Sequence, residues 1–255
     1  MAAESMIKFI CYGKGVAPSH WTFDHFPYVN RLYYVFGGTA YFTGGQMRHQ
    51  LKPGHLYLFP YGIEFSAVHD GADCLDHLYF DFVTVPPLQM DRFAEYRVEP
   101  NTVVDHLTRA LTLYLSDDHT ARDEVTVRTL FQGLLAVFCE TYGIERLNDS
   151  RINRVLELIH EKYGDNLCNR YFADLLHLDL RHFLRIFKQA LKMTPNKYIR
   201  EYRMTQAEAM LRKRESIQDV ATRTGYESAA SFCHAFKRSR GMSPSAFIKQ
   251  NSPVE

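Results

Sequence analysis

The sequence predicts an α+β chain of two domains: an N-terminal β-barrel carrying a helical pair, then a C-terminal all-α domain built from two similar helical units. Three observations predict it. Between Pro27 and about Pro87, short runs rich in Tyr, Phe, Val and Leu alternate with turn residues. From Asn101 onward, apolar residues recur at three- and four-residue spacing, the period of a helix. Charge also divides sharply: residues 1–149 hold 11 Lys+Arg against 18 Asp+Glu, whereas residues 150–255 hold 19 against 11. The basic half suits a polyanion and the acidic half a different task. At 255 residues, 46% hydrophobic and 23% charged, the chain can bury a sizeable core.

The strand candidates are Arg31–Phe36, Thr39–Thr43, Leu56–Phe59 and His77–Val83, all rich in β-formers. Gly37-Gly38, Gly44-Gly45, Pro53-Gly54 and Asp70-Gly71 mark turns between strands, a spacing that suits a sandwich or barrel. Residues 101–143 then read as a helical pair. Val104, Leu107, Leu111, Tyr114 and Leu115 form one stripe, and Val127, Leu130, Phe131, Leu134, Leu135 and Phe138 the other. Such faces must be buried on the β-domain, on each other or on a second subunit. Residues 144–150 read as a linker and 151–250 as the all-α domain. Ser150 is a good N-cap for its first helix, and Thr194-Pro195 opens a long helix that runs to about Lys213.

Other features exclude functional classes. The five cysteines (11, 74, 139, 168 and 233) show no metal-ligand spacing and read as reduced, mostly buried thiols. No signal peptide or membrane span is expected, so the protein is expected to be cytoplasmic. There is no GxSxG, P-loop or GxGxxG in the required context, and neither catalytic residues nor a cofactor are expected.

An internal repeat points to function. FLRIFKQALKMTPNKYI (183–199) aligns without gaps on FCHAFKRSRGMSPSAFI (232–248), with six of 17 positions identical. Each copy follows a short helix and a tight turn: Phe172–His177 through Leu178-Asp179, and Ile217–Thr224 through Gly225-Tyr226. In the first copy Phe183, Ile186, Phe187 and Ala190 form a buried stripe, leaving Arg181, His182, Leu184, Arg185 and Lys188 outward. In the second, Phe232, Ala235 and Phe236 leave Ala229, Ala230, Ser231, Cys233, His234 and Lys237 outward. A helix that exposes polar or basic residues after a tight turn can enter a major groove, and two on one rigid helix can read segments about 34 Å apart.

The stretch Phe172–Ile248 resembles the DNA-binding domain of AraC/XylS-type regulators, and Gly225–Ile248 is similar to that family's signature. The resemblance implies two helix-turn-helix units that bind double-stranded DNA. It assigns base contacts to Arg181, His182, Leu184 and Arg185 in the first unit and to Ala229, Ala230, Ser231 and His234 in the second. Lys188 and Lys237 suit the DNA backbone. The family's glycine at the end of the first recognition helix is Lys192 here, which predicts a less sharply capped terminus.

Gly54-HLYLF-Pro60-Tyr61-Gly62 resembles part of the second cupin motif, and the run from Leu32 resembles the first strands of that barrel. Residues 1–100 are therefore expected to form a cupin-like effector domain. Metal ligands are missing: Phe65 occupies the place of the last histidine, and His49/His55 and His20/His25 have the wrong spacing. The alternation rule pairs Tyr34 with Phe36 and His77 with Tyr79, and the resemblance turns both pairs inward. With Trp21 and Arg48 they are the candidate effector-binding residues. The resemblance implies a bacterial regulator, expected to be an activator that contacts RNA polymerase and senses a small, carbohydrate-like molecule, and the apolar faces of the helical pair at residues 101–143 suggest that the pair forms a homodimer. An N-terminal domain that binds a protein partner and a metal-free cupin enzyme fused to a DNA-binding domain are the alternatives.

Overall fold

The computed structural model describes residues 6–17, 22–24, 29–44, 47–62, 65–116 and 123–250. The chain divides into two compact units, Met1–Arg146 and Leu147–Glu255.

Unit 1 opens with β1 (Met6–Val16), β2 (Thr22–Asp24), β3 (Asn30–Gly37), β4 (Ala40–Gly44), β5 (Met47–Leu51) and β6 (His55–Phe59). It continues with β7 (Ser66–His69), β8 (Asp76–Val85), β9 (Leu88–Gln89) and β10 (Ala94–Arg97). The helices α1 (Val103–Ser116) and α2 (Glu124–Tyr142) and the short β11 (Glu145–Arg146) complete it. Among the described residues one antiparallel sheet has the order β1-β8-β3-β6-β10, a second β2-β7-β4-β5, and β11 pairs with β9 in a two-stranded third. The first two share a core of Tyr33, Val35, Tyr57 and Phe59 against Ala40, Phe42, Leu51 and Ala67, two sheets packed face to face where a barrel was expected.

The larger sheet is apolar on both faces. Leu32, Leu56, Leu58, Leu78, Phe80 and Phe82 pack against the helical pair, and the Phe131 ring lies 4.6 Å from Phe80 and 4.8 Å from Phe82. The stripes of α1 and α2 are thus buried on the sheet and on each other. The expected linker shortens accordingly: Glu145 and Arg146 pair with Gln89 and Leu88, so unit 1 keeps the chain to Arg146. The longest strand, β1, was not among the sequence candidates. A bulge between Phe9 and Cys11 breaks its period-two pattern, although it pairs with β8 over nearly its whole length.

Unit 2 is helical throughout: α3 (Ser150–Lys162), α4 (Asn169–Leu175), α5 (Leu180–Leu191), α6 (Pro195–Arg212), α7 (Ile217–Arg223), α8 (Ala229–Arg240) and α9 (Pro244–Gln250). The first N-cap falls one residue earlier than expected, since Asp149 accepts from the Arg151 amide and Ser150 lies inside the helix. Eighteen residues give α6 a length of about 27 Å. It is buried along most of its length, with Thr194 capping it and Pro195 opening it as predicted. At its start Tyr198 meets Phe187 of α5 and bonds His160 of α3 at 2.7 Å. Further along, Met204, Ala207, Met210 and Leu211 enclose Val220, Phe232, Phe236 and Phe247. One helix therefore carries both repeats.

A buried ion cluster fastens the second repeat to it. Arg240 Nη1 donates to Glu201 Oε2 at 2.9 Å, and Nε donates to Glu208 Oε1. The carboxylates stand two helical turns apart on one face of α6. Their side chains and that of Arg240 are 9% exposed or less. Burial pulls the Arg240 pKa down, but Glu208 and Glu201 outweigh it and hold it above the usual value. Removing the cation leaves two carboxylates buried without it. Arg240→Met is expected to destabilise unit 2 by about 3–5 kcal/mol in chemical denaturation. A loss under about 1 kcal/mol would show the cluster to be incidental.

Candidate nucleic-acid interface and the cavity of unit 1

In the first repeat α4 leads to α5 through a turn in which His177 adopts φ 53°. Asp179 caps α5 by accepting from the His182 amide at 2.9 Å, and this bond holds its carboxyl below the usual range. Phe183, Ile186, Phe187 and Leu191 face the interior. Arg181, Arg185 and Lys188 are exposed, while His182 and Leu184 are half-buried beside them. Helical spacing places Arg181, Arg185 and Lys188 along one stripe. Arg185 makes a weak bond at 3.4 Å to Gln189 of its own helix.

The second repeat has the same plan with a tighter frame. Gly225 sits at φ 77°, and a Cβ there would meet the Gly164 carbonyl oxygen at 2.4 Å, so α7 turns into α8 against the backbone that follows α3. Phe232 and Phe236 fill the core. Ala230, His234 and Lys237 are exposed and Ala229 is half-buried.

Ser231, expected to contact bases, is already engaged. Its hydroxyl donates to the Ser228 carbonyl at 2.8 Å and accepts from the Ser228 amide at 3.3 Å, while Ser228 Oγ accepts from the Ser231 amide. This is a capping box with serine at the third position, so the hydroxyl is spent on holding the helix start. The exposed polar face of α8 is instead His234, Lys237 and Arg238. Arg238 was missed, although its i, i+4 spacing from His234 was the available signal.

The helix ends also differ. Gly241 closes α8 at φ 74° without steric cost, whereas Lys192 closes α5 at φ 59°. Lys192 thus takes the left-handed cap that a glycine would occupy at about 1 kcal/mol less strain.

Unit 1 contains a cavity of about 770 Å³, within the range of small-molecule sites. Phe42, Phe59, Phe65, Met90, Phe93 and Glu95 line it, and Tyr142–Ile144 close one side. Phe65, noted only as standing where a metal-binding histidine was absent, is part of its wall. Glu95 is the hub of its polar edge. Its carboxylate meets Lys52 Nζ and the Tyr57 hydroxyl, each at 3.1 Å, and His49 Nε2 at 3.0 Å. Burial raises its pKa, but hydrogen bonds from Lys52 and Tyr57 and the His49 charge outweigh that and hold it below the usual range.

None of the described effector candidates lines this cavity. Trp21 lies outside the described residues. Tyr34 and Phe36 face the helical pair, because Tyr34 pairs with Leu78 while Tyr33 and Val35 pair with Tyr79 and His77. The inward residues of β3 are therefore the odd-numbered ones. His77 and Tyr79 do point inward, with Tyr33 5.0 Å from His77, but burial pushes the His77 pKa down to about 4 and the ring serves the core. Arg48 is exposed on the outer face, stacked 4.0 Å from the Tyr41 ring. Likewise the cysteines are not deeply buried: Cys168 is exposed and the other four are half-buried, with the Cys11 thiol donating to Asp81 at 3.4 Å.

Residues 172–250 match a family described as a helix-turn-helix domain. The two-repeat geometry and this match give unit 2 a helix-turn-helix domain in two units, in line with its resemblance to the DNA-binding domain of AraC/XylS-type regulators. Among curated relatives, an uncharacterised HTH-type transcriptional regulator of Haemophilus influenzae is 28% identical over 59% of this chain and 46% of its own. The HTH-type transcriptional activator RhaS of Citrobacter koseri is 33% identical over 45% of this chain and 42% of its own. The chain thus spans less than half the length of these relatives. Over 98% of this chain and 99% of the other, the fold is similar to ToxT of Vibrio cholerae, with a TM-score of 0.67 at 11% identity. A ToxT structure with an unsaturated fatty acid bound gives 0.68 at 12% identity, over 98% of this chain and 96% of the other. Among the described residues no helix is long and apolar enough to cross a membrane.

Ser231→Ala is expected to lower the stability of unit 2 by about 0.5–1 kcal/mol while leaving base preference on DNA unchanged. A changed preference at unchanged stability, in melting and binding-site selection, would return Ser231 to the reading residues.

Proposed function

We propose that the chain is a sequence-specific regulator of transcription that binds double-stranded DNA through α5 and α8 and responds to a small molecule held in unit 1. The observation that carries the reading is the paired presentation of α5 and α8, each following a tight turn and both seated on α6, α5 through Phe187 against Tyr198 and α8 through Phe232 and Phe236. The relative named as an activator supports activation, in which RNA polymerase is the partner. In this reading the chain binds and releases and catalyses no reaction. Arg181 and Arg185 read bases, with Arg185 suited to bidentate contact with guanine. Lys188, Lys237 and Arg238 neutralise phosphates.

The cavity supports the sensing role, as does the fatty acid bound to the similarly folded ToxT. Tyr142, Gly143 and Ile144 line it, and the chain leaves unit 1 only two residues later, at Arg146. A ligand that favours one arrangement of this segment biases the connection to unit 2. Homodimerisation would bring two DNA-binding domains to one promoter. The apolar side chains still exposed on the helical pair, Val103, Leu113 and Val125, support a contact there.

Arg185→Ala is expected to cost about 1–3 kcal/mol on the specific site, with little change on random DNA. Electrophoretic comparison of operator variants measures this, and equal losses on both DNAs would assign Arg185 to the phosphate backbone instead.

A further inference from the structure

We infer that the cavity of unit 1 takes a ligand with an apolar, aromatic-sized body and a hydrogen-bond-donating head, an amine or a hydroxyl, that meets Glu95. The inference rests on the reading of unit 1 as an effector sensor and names the ligand class of that site.

The body follows from the walls. Phe42, Phe59, Phe65 and Phe93 form a continuous aromatic cluster, with Phe42 and Phe93 4.4 Å apart and Phe59 stacked on Phe65 at 4.6 Å. Met90 and Ile144 extend it. About 770 Å³ bounded in this way holds a bicyclic ring system with a short side chain. A polyol of the same size would bring several hydroxyls against phenyl faces that can neither donate nor accept conventional hydrogen bonds, and each unpaired hydroxyl would lose its water.

The head follows from the charges. Glu95 is the partly buried charged group of the lining, its side chain 22% exposed. The groups that balance it, Lys52, His49 and His55, approach its carboxylate but are not among the lining residues. Glu95 is thus the one member of this cluster that borders the cavity. An ionised carboxylate only accepts hydrogen bonds. Arg92 and Asp91 also line the space, but they are exposed and of opposite sign, so they give the cavity no net charge. A ligand carboxylate, itself only an acceptor, offers Glu95 no donor, whereas an amine or a hydroxyl does.

The test uses three probes that share one body and differ at the head: 2-(1-naphthyl)ethylamine, 2-(1-naphthyl)ethanol and 1-naphthylacetate, with D-glucose as the polyol. Binding to the full chain is measured by calorimetry. The amine and the alcohol are expected to bind at least about tenfold more tightly than the carboxylate and than glucose. Glu95→Gln should reduce the preference for amine over carboxylate to less than about threefold. If that variant melts early, Met90→Trp, which fills the cavity from its edge, should abolish binding of every naphthyl probe. Tightest binding by the carboxylate or by glucose, or binding by none of the four, would overturn the assignment. Promoter footprinting of the same preparation separates the two layers: protection without probe binding removes the ligand class alone, whereas amine binding without protection removes the regulatory reading alone.

Discussion

Arg240 reaches from the last turn of α8 to Glu201 and Glu208 on α6, and the seating of the second repeat depends on that contact. A recognition helix must present its outer face at a fixed angle, and the aromatic core alone leaves some freedom because apolar contact is not directional. The buried cation adds direction. Ser239 also donates to Glu201 at 3.3 Å, so the end of α8 is held at two successive residues. Such a cluster contributes little net stability when complete, because desolvation offsets the attraction. Its contribution is one defined seating of α8 on the helix that also carries α5.

The helical half was legible because its signals are local and repeated. The phenylalanine stripes recur at helical spacing in both copies, and the turn residues and Thr194-Pro195 stand where helix ends require them. Beyond the one-residue shift of the first N-cap from Ser150 to Asp149, the difference there is one of chemistry. A serine hydroxyl can either read a base or close a cap, and the partner that decides is a backbone amide, which the sequence does not display. The usual box carries Glu or Gln at the third position, so Ser228-x-x-Ser231 falls outside the familiar pattern.

The β-rich half was legible in its strands but not in its faces. Alternation separates Tyr33 and Val35 from Tyr34 and Phe36, yet it names the inner set only when the outer set is polar. Here helices cover the outer face of the larger sheet, so both sets are apolar. The choice is made by register against β8, a pairing more than 40 residues away. The cavity is harder still to foresee. It joins β4 and β6 to the segment around β9 and β10 and to the end of α2, residues from 42 to 144 brought together only by the completed fold.

The central claim is that α5 and α8 read two neighbouring turns of the same groove face. Hydroxyl-radical footprinting of the full chain on a bound promoter tests it most directly. The account predicts two protected patches per DNA-binding domain, centred about 10 base pairs apart on one face of the helix, the spacing of successive major-groove segments. A single protected patch, or two patches on opposite faces, would contradict it.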